Sequence, residues 1–251
     1  RYHMSTTLIR GEAGRVDRAL NPTADLELST RILSQVAANH ELGAVVRIYR
    51  PAPTVAFSGI ERRLPRFGEA VGDSLAFGFE PVIRPAGGRM VALDEQWLVM
   101  DVITPEVIKS DSRGVYLNQG QKLVDILQGF GIQAAIGAVP GEYCPGDYSI
   151  NARGQVKIVG TAQRVVRGAR LFSASIPMSI SCNVAQMFDR INAHLDLDWD
   201  NRTLGSIENE NASVTIDALE QALIKVFAPE AREGVELADI LEYKNPLSLI
   251  S

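Results

Sequence analysis

Apolar residues return along the chain in two periods, one helical and one extended. Leu26, Ile32, Leu33 and Val36 recur at helical spacing behind a start signal at Thr23, which follows Pro22 and precedes Asp25 and Glu27. The pattern predicts a helix that ends near Asn39 and His40. Residues 43–50 read as a strand halted by Pro51 and Pro53, and Val55-Ala56-Phe57 is a second, shorter one. Arg62, Arg63 and Arg66 predict a solvated turn into another helix. Residues 80–84 and 97–104 read as strands flanking a glycine-bearing turn. A helix is expected over about 117–130, with Leu123, Ile126, Leu127 and Phe130 on one face and Gly131 at its end. Between 142 and 165 the chain runs through a loop, a short strand at Tyr148 and Ile150, a polar turn at Gly154 and a second strand from Val156. That is the pattern of a hairpin. A strand over 170–178 and helices over 183–193 and 215–228 follow, the last with Ile216, Leu219, Leu223 and Phe227 on one side. Hairpins with segregated helices, in place of a regular strand–helix alternation, predict an α+β fold.

Composition narrows the class. The 251 residues are 46% hydrophobic, enough for one large core or two small ones. A single domain over 5–251 is expected, with the polar stretch 196–213 marking off a possible small C-terminal helical extension over 196–251. The net charge of −5 speaks against general nucleic-acid affinity. Two cysteines without a CxxC pair and three scattered histidines argue against structural zinc or a disulfide framework. No run of eighteen apolar residues and no basic-then-apolar leader occur, so a cytoplasmic protein with no membrane association is expected. Arg1-Tyr2-His3 ahead of Met4 reads as an added remnant.

Candidate chemistry concentrates in two stretches. Cys144 stands in a loop beside Pro145 and Gly146, and the hairpin returns Lys157 towards it. A thiol near an ammonium is favoured as thiolate, the nucleophilic form, so the pair points to acyl chemistry. Asp147 is expected to brace the loop. The second stretch, residues 84–95, offers Gly87 and Gly88 for close backbone approach to a ligand, with Arg84 and Arg89 able to hold a carboxylate or phosphate. Gly-Gly turns are often only turns, and no GxxxxGK(S/T) or GxGxxG loop exists anywhere in the chain. Cys182 reads as structural, His40 and His194 as surface residues, and Trp97 and Trp199 as packing residues. Arg153, Lys157, Arg164, Arg167 and Arg170 crowd the hairpin region, as a solvated face or a docking patch for an acidic partner.

Together the two stretches resemble the biotin/lipoate protein ligase superfamily. The first stands here as Arg84-Pro-Ala-Gly87-Gly88-Arg-Met-Val91-Ala-Leu-Asp94. The second stands as Asp147 followed by Lys157-Ile158-Val159-Gly160-Thr161-Ala162-Gln163-Arg164. The resemblance covers roughly residues 20–180 and implies a mixed, mostly antiparallel sheet flanked by helices. Cys144, in Tyr143-Cys-Pro-Gly-Asp147, sits where the cysteine-dependent octanoyl- and lipoyltransferase branches carry their thiol. Ala169 after Arg167-Gly168 disfavours the branch whose cysteine lies there. Leu93 stands where many members have histidine before the aspartate, which also resembles a cysteine-dependent branch. By resemblance, Cys144 forms a thioester with an octanoyl or lipoyl group and a lysine of a lipoyl-carrier protein then takes it, with Lys157 assisting. Gly160, Thr161, Ala162 and Gln163 fall to the substrate, with the backbone N–H groups of Gly160, Thr161 and Ala162 as oxyanion donors. The implied partners are the glycine cleavage H protein, lipoyl domains of 2-oxo acid dehydrogenases and acyl carrier protein, with the enzyme itself a monomer and no cofactor needed. Two rival readings stay open. One is an ATP- and magnesium-dependent lipoate ligase working through an acyl-adenylate; the other is a non-catalytic domain that binds an acyl chain or carrier.

Overall fold

Apolar patterning of both periods is realised, but the chain folds it into two sheets. The computed structural model describes residues 5–11, 22–84, 88–108 and 111–233. In chain order these form β1 (Thr6–Gly11), α1 (Pro22–Ala38), β2 (Ala44–Tyr49), β3 (Thr54–Ser58), α2 (Phe67–Ala76), β4 (Glu80–Arg84), β5 (Val91–Leu93) and β6 (Trp97–Pro105). Next come α3 (Ser112–Gly129), β7 (Ala134–Ile136), β8 (Ile150–Ala152), β9 (Val156–Val166), β10 (Ala169–Pro177), α4 (Cys182–His194), α5 (Ile207–Glu210) and α6 (Ile216–Phe227).

The main sheet has seven strands in the order β1-β2-β6-β10-β9-β8-β7. Its β1–β2 pair is parallel and the other pairs are antiparallel. A three-stranded sheet, β4-β3-β5, pairs β3 parallel with β4 and antiparallel with β5. The α+β expectation and the mostly antiparallel sheet are both realised.

Alternation along the strands sends each main-sheet residue to one of two faces. One face (Val46, Met100, Phe172, Ala174) packs under Leu123 and Leu127 of α3 and Leu219, Leu223 and Phe227 of α6. Ile207 joins the same cluster, so the polar stretch before α6 is bridged by apolar contact with the sheet. On the other face, Leu28, Ile32, Leu33 and Val36 of α1 cover Val45, Ile103 and Ala169. Each fully buried Val, Leu, Ile, Phe or Met side chain among these contributes about 1.5–3 kcal/mol relative to exposure. A third cluster joins the small sheet (Phe57, Val91, Leu93) to Met187, Phe188 and Ile191 of α4, with Trp97 and Tyr143 at its centre. Among the described residues no helix is long and apolar enough to cross a membrane.

Several expectations change. The strands at 80–84 and 97–104 belong to different sheets, so the glycine turn does not join hairpin partners. β5 occupies part of that stretch and pairs with β3. Helix α3 starts five residues before the expected 117, because Asp111 caps it through the N–H groups of Arg113 and Gly114. His40 opens a 3-10 turn, and its Nε2 lies 2.8 Å from the Gly168 carbonyl oxygen. His194 ends α4, one residue past the expected 193, with Nε2 2.8 Å from an Asp73 carboxylate oxygen. Cys182 is exposed at the start of α4 and has no core role.

Candidate functional site

The predicted hairpin forms, and it is what sets the site. β8 and β9 pair antiparallel, with Asn151 opposite Lys157. Lys157, on the strand, is 2% exposed. Its Nζ donates to the carbonyl oxygens of Tyr143 and Cys144, both at 2.9 Å, and lies 3.4 Å from Glu142 Oε1. It also stands 4.3 Å from the centre of the Tyr143 ring. An ammonium has three donors, and three acceptors surround this one. Burial pushes the Lys157 amine below the ordinary lysine range, while Glu142 and the neighbouring Cys144 pull it back up.

Glu142 is the residue the sequence reading overlooked. It is 1% exposed. One carboxylate oxygen accepts from the Val139 N–H at 2.8 Å, the other from the Gly146 N–H at 3.2 Å and from Ser149 Oγ at 2.5 Å. These bonds draw the whole 139–149 loop around one buried carboxylate. Asp147, expected to brace the loop, is exposed instead. The available signal was an acid two positions before the cysteine, in the stretch that the hairpin brings back to Lys157.

Held this way, Cys144 adopts φ 40°, a left-handed conformation uncommon for a residue with a β-carbon. Its half-buried sulfur faces the glycine stretch: Sγ lies 3.3 Å from the Arg89 backbone nitrogen and 3.5 Å from Arg84 Nη2. The thiol's immediate donors are therefore Arg84 and the Arg89 N–H, while Lys157 grips the backbone of the cysteine loop. Arg84 Nη2 also donates to the Arg89 carbonyl oxygen at 2.5 Å, and its Nε is buried without a hydrogen-bond partner. Arg89 Nη1 reaches the Asp198 carbonyl oxygen at 3.5 Å.

Gly88 has φ 99°, and a β-carbon there would stand 2.9 Å from Arg84 Nη2 and 3.0 Å from Cys144 Sγ. Gly88→Ala is therefore expected to destabilise the fold by about 1–2 kcal/mol and to slow alkylation of Cys144 about tenfold. Denaturant melts and iodoacetamide kinetics measure the two effects; a variant alkylated at the wild-type rate would refute the close approach. Gly87 lies outside the described residues.

Cys144, Lys157, Arg84, Gly88, Gly160, Thr161, Ala162 and Gln163 all line one cavity of about 370 Å³. Thr161 Oγ1 donates to the Tyr148 carbonyl oxygen at 2.8 Å, tying β9 to the far end of the cysteine loop. Gln163 Nε2 donates to the Ser112 carbonyl oxygen at 2.8 Å and its Oε1 accepts from Arg170 at 2.5 Å. The expected arginine patch does not survive intact. Lys157 and Arg170 are buried, Arg170 against Glu106 at 2.9 Å, and Arg153 is paired with Glu210 at 2.8 Å. A half-buried thiol beside two N–H donors, at the wall of a pocket with apolar and backbone surfaces, has surroundings in which a sulfur can act as a nucleophile.

Residues 21–228 match the family model described as lipoyl protein ligase A/B catalytic domain. The chain is 32% identical over 137 residues to an octanoyl-[GcvH]:protein N-octanoyltransferase of an Exiguobacterium species, covering 53% of this chain and 47% of that protein. It is 32% identical over 130 residues to the protein of the same name in Geobacillus kaustophilus, covering 50% and 44%. The chain thus spans about half the length of these curated relatives. A crystal structure of lipoate-protein ligase A bound with ATP superposes with a TM-score of 0.73 at 20% identity, over 95% of this chain and 92% of that one. A putative lipoate protein ligase of Thermoplasma acidophilum, Ta0514, gives 0.71 at 19% identity, over 95% and 93%. The architecture is the lipoate-protein ligase-like fold.

Proposed function

Because the chain belongs to the lipoyl protein ligase A/B catalytic domain family, we propose that it transfers an octanoyl or lipoyl group to a lysine of a lipoyl-carrier protein through a thioester on Cys144. The observation that carries the reading is the placement of Cys144 Sγ in the cavity wall, within reach of Arg84 and the Arg89 N–H. The relatives named as N-octanoyltransferases support the same chemistry.

Each half-reaction closes on the sulfur. In the first, the Cys144 thiol gives up its proton as its sulfur attacks the donor carbonyl, an S–C bond forms, and the donor departs carrying that proton. If the donor is an octanoyl-lysine of the glycine cleavage H protein, a C–N bond breaks and the leaving amine takes the thiol's proton. If it is an acyl-carrier-protein thioester, a C–S bond breaks and the carrier leaves as thiol. In the second, the amine of the acceptor lysine, on a lipoyl domain, attacks the enzyme thioester; an amide forms, and the amine's proton returns to sulfur. Arg84 and the Arg89 N–H hold the sulfur whenever it carries charge. Lys157 fixes the carbonyls of the two peptides that flank the Cys144 α-carbon, and so acts first as a positioning residue. N–H groups at 160–162 serve the oxyanion.

Intact-protein mass, recorded without ATP after incubation with octanoyl-H protein or octanoyl-acyl carrier protein, tests this. A gain of one octanoyl group that hydroxylamine removes is the expected result, and the donor that gives it identifies the branch. Acylation of a lipoyl domain only from free acid with ATP, and no adduct on the enzyme, would sink the thioester and favour the ligase reading.

A further inference from the structure

The ladder between β3 and β5 runs through Thr54 and Leu93, Val55 and Ala92, and Ala56 and Val91, and there it stops. A side chain enters where it ends. Glu61 opens the 3-10 turn Glu61–Arg63 just beyond β3 and is 3% exposed. One of its carboxylate oxygens accepts from the Ser58 N–H and the other from the Met90 N–H, each at 2.7 Å. The carboxylate thus takes one N–H from each strand, just past the last paired residues. Without it both donors would be buried and unmatched.

The Met90 N–H belongs to the same peptide group as the Arg89 carbonyl, which accepts from Arg84 Nη2 at 2.5 Å. That peptide is therefore held at both ends, by a buried carboxylate at its nitrogen and by a guanidinium at its oxygen. A negative charge at the N–H polarises the group and strengthens the bond that its oxygen accepts. Arg84 Nη2 also lies 3.5 Å from Cys144 Sγ, and the N–H of Arg89, one peptide earlier, lies 3.3 Å from it. Both neighbours of the sulfur hang on the peptide that Glu61 fixes. Glu61 itself does not line the cavity that holds Cys144.

We infer that Glu61 is a positioning residue for the thiol: through the 89–90 peptide it sets both donors of the Cys144 sulfur. Its part in catalysis rests on the acyl-transfer reading. Two segments meet at the sulfur, and each is tied by its own buried acid, the cysteine loop by Glu142 and the glycine stretch by Glu61. Length and charge both count. Aspartate, one methylene shorter, cannot bridge N–H groups on two strands. Glutamine keeps the length but offers one acceptor oxygen in place of two, and turns a donor on the other N–H.

The test follows the rate of Cys144 alkylation by iodoacetamide against pH, in a Cys182→Ser background that leaves Cys144 as the one thiol. Glu61→Gln and Glu61→Asp are each expected to move the profile upward by about half a pH unit or more. Thioester formation should slow about tenfold in both, with the donor KM unchanged. A carboxylate acting by charge alone gives a different result: the glutamine variant moves downward and the aspartate variant matches wild type. Either variant decides the question if the other fails to fold. In an Arg84→Met background the upward shift should shrink to about half or less. Lys157, Glu142, Tyr116 and Tyr143, the other ionisable groups about the sulfur, stay in place throughout. A profile that stays put or moves downward, or a full upward shift without Arg84, overturns the inference. If thioesters form at the wild-type rate and the profiles coincide, the positioning role falls and the transfer reading stands. If the profiles move as expected and no thioester forms from any donor, the positioning role stands and the transfer reading falls.

Discussion

The Cys144→Ser variant is expected to lose acyl transfer by about three orders of magnitude or more while keeping the wild-type fold. Serine also has a β-carbon, so the left-handed backbone at 144 is under the same constraint in both proteins. The two groups facing Sγ, Arg84 Nη2 at 3.5 Å and the Arg89 N–H at 3.3 Å, remain to meet a hydroxyl. What disappears is a soft, polarisable sulfur nucleophile. A serine hydroxyl needs a base to remove its proton, and the nearest amine, Lys157, is already held by Glu142 and two carbonyl oxygens. Stability is expected to stay within about 1 kcal/mol, because a half-buried sulfur is exchanged for a slightly smaller oxygen. Single-turnover transfer from an octanoylated donor to a lipoyl domain measures the effect. A serine variant that retained a tenth of the wild-type rate would remove Cys144 from the chemistry.

Replacing the lysine should damage the molecule in a different way. Lys157→Met is expected to cost about 3–5 kcal/mol of folding stability and at least two orders of magnitude in transfer. The lysine occupies a dry site, and burial alone disfavours its charge. The Glu142 carboxylate, 1% exposed, answers for that burial, and removal of the ammonium leaves the carboxylate with only its neutral donors. The carbonyls of Tyr143 and Cys144 lose their shared donor as well, so the cysteine loop has no reason to keep its present path. A double-mutant cycle with Glu142→Gln separates the two consequences. Stability should show coupling of more than about 1 kcal/mol between the sites. Transfer should stay low in the double variant, since the two carbonyls are still ungripped. A Lys157→Met protein as stable as wild type would mean that the buried pair is not what holds the loop.

Legibility followed sequence distance. Cys144 and Lys157 could be paired from the sequence because a hairpin joins them, and hairpins announce themselves through turn residues and alternation. Arg84 and Gly88 were visible as a motif, but their direction was not. Nothing local says that the turn after β4 reaches across to a loop more than fifty residues on. Glu142 went unassigned because a lone acid beside a glycine reads as solvent-exposed; only the burial of Lys157 makes it a partner. β5 and β7, three residues each, are too short to show a period. α3 hid its first turn because Arg113 and Gly114 carry no apolar stripe, although its Asp111 cap was there to be read.

The two sets of contacts around Cys144 also differ in how they are acquired as the chain folds. The clamp from Lys157 to the Cys144 carbonyl spans 13 residues, whereas Arg84 reaches the sulfur across 60. Closing the longer loop costs about 1.4 kcal/mol more in chain entropy, before any strand of the small sheet has a partner to offset it. The short hairpin therefore has the earlier start, and it shapes the cysteine loop while the sulfur still lacks its donors. Those arrive only when β4 and the turn beyond it dock. The two N–H donors of the sulfur thus depend on the longer closure, and the clamp on its backbone on the shorter one.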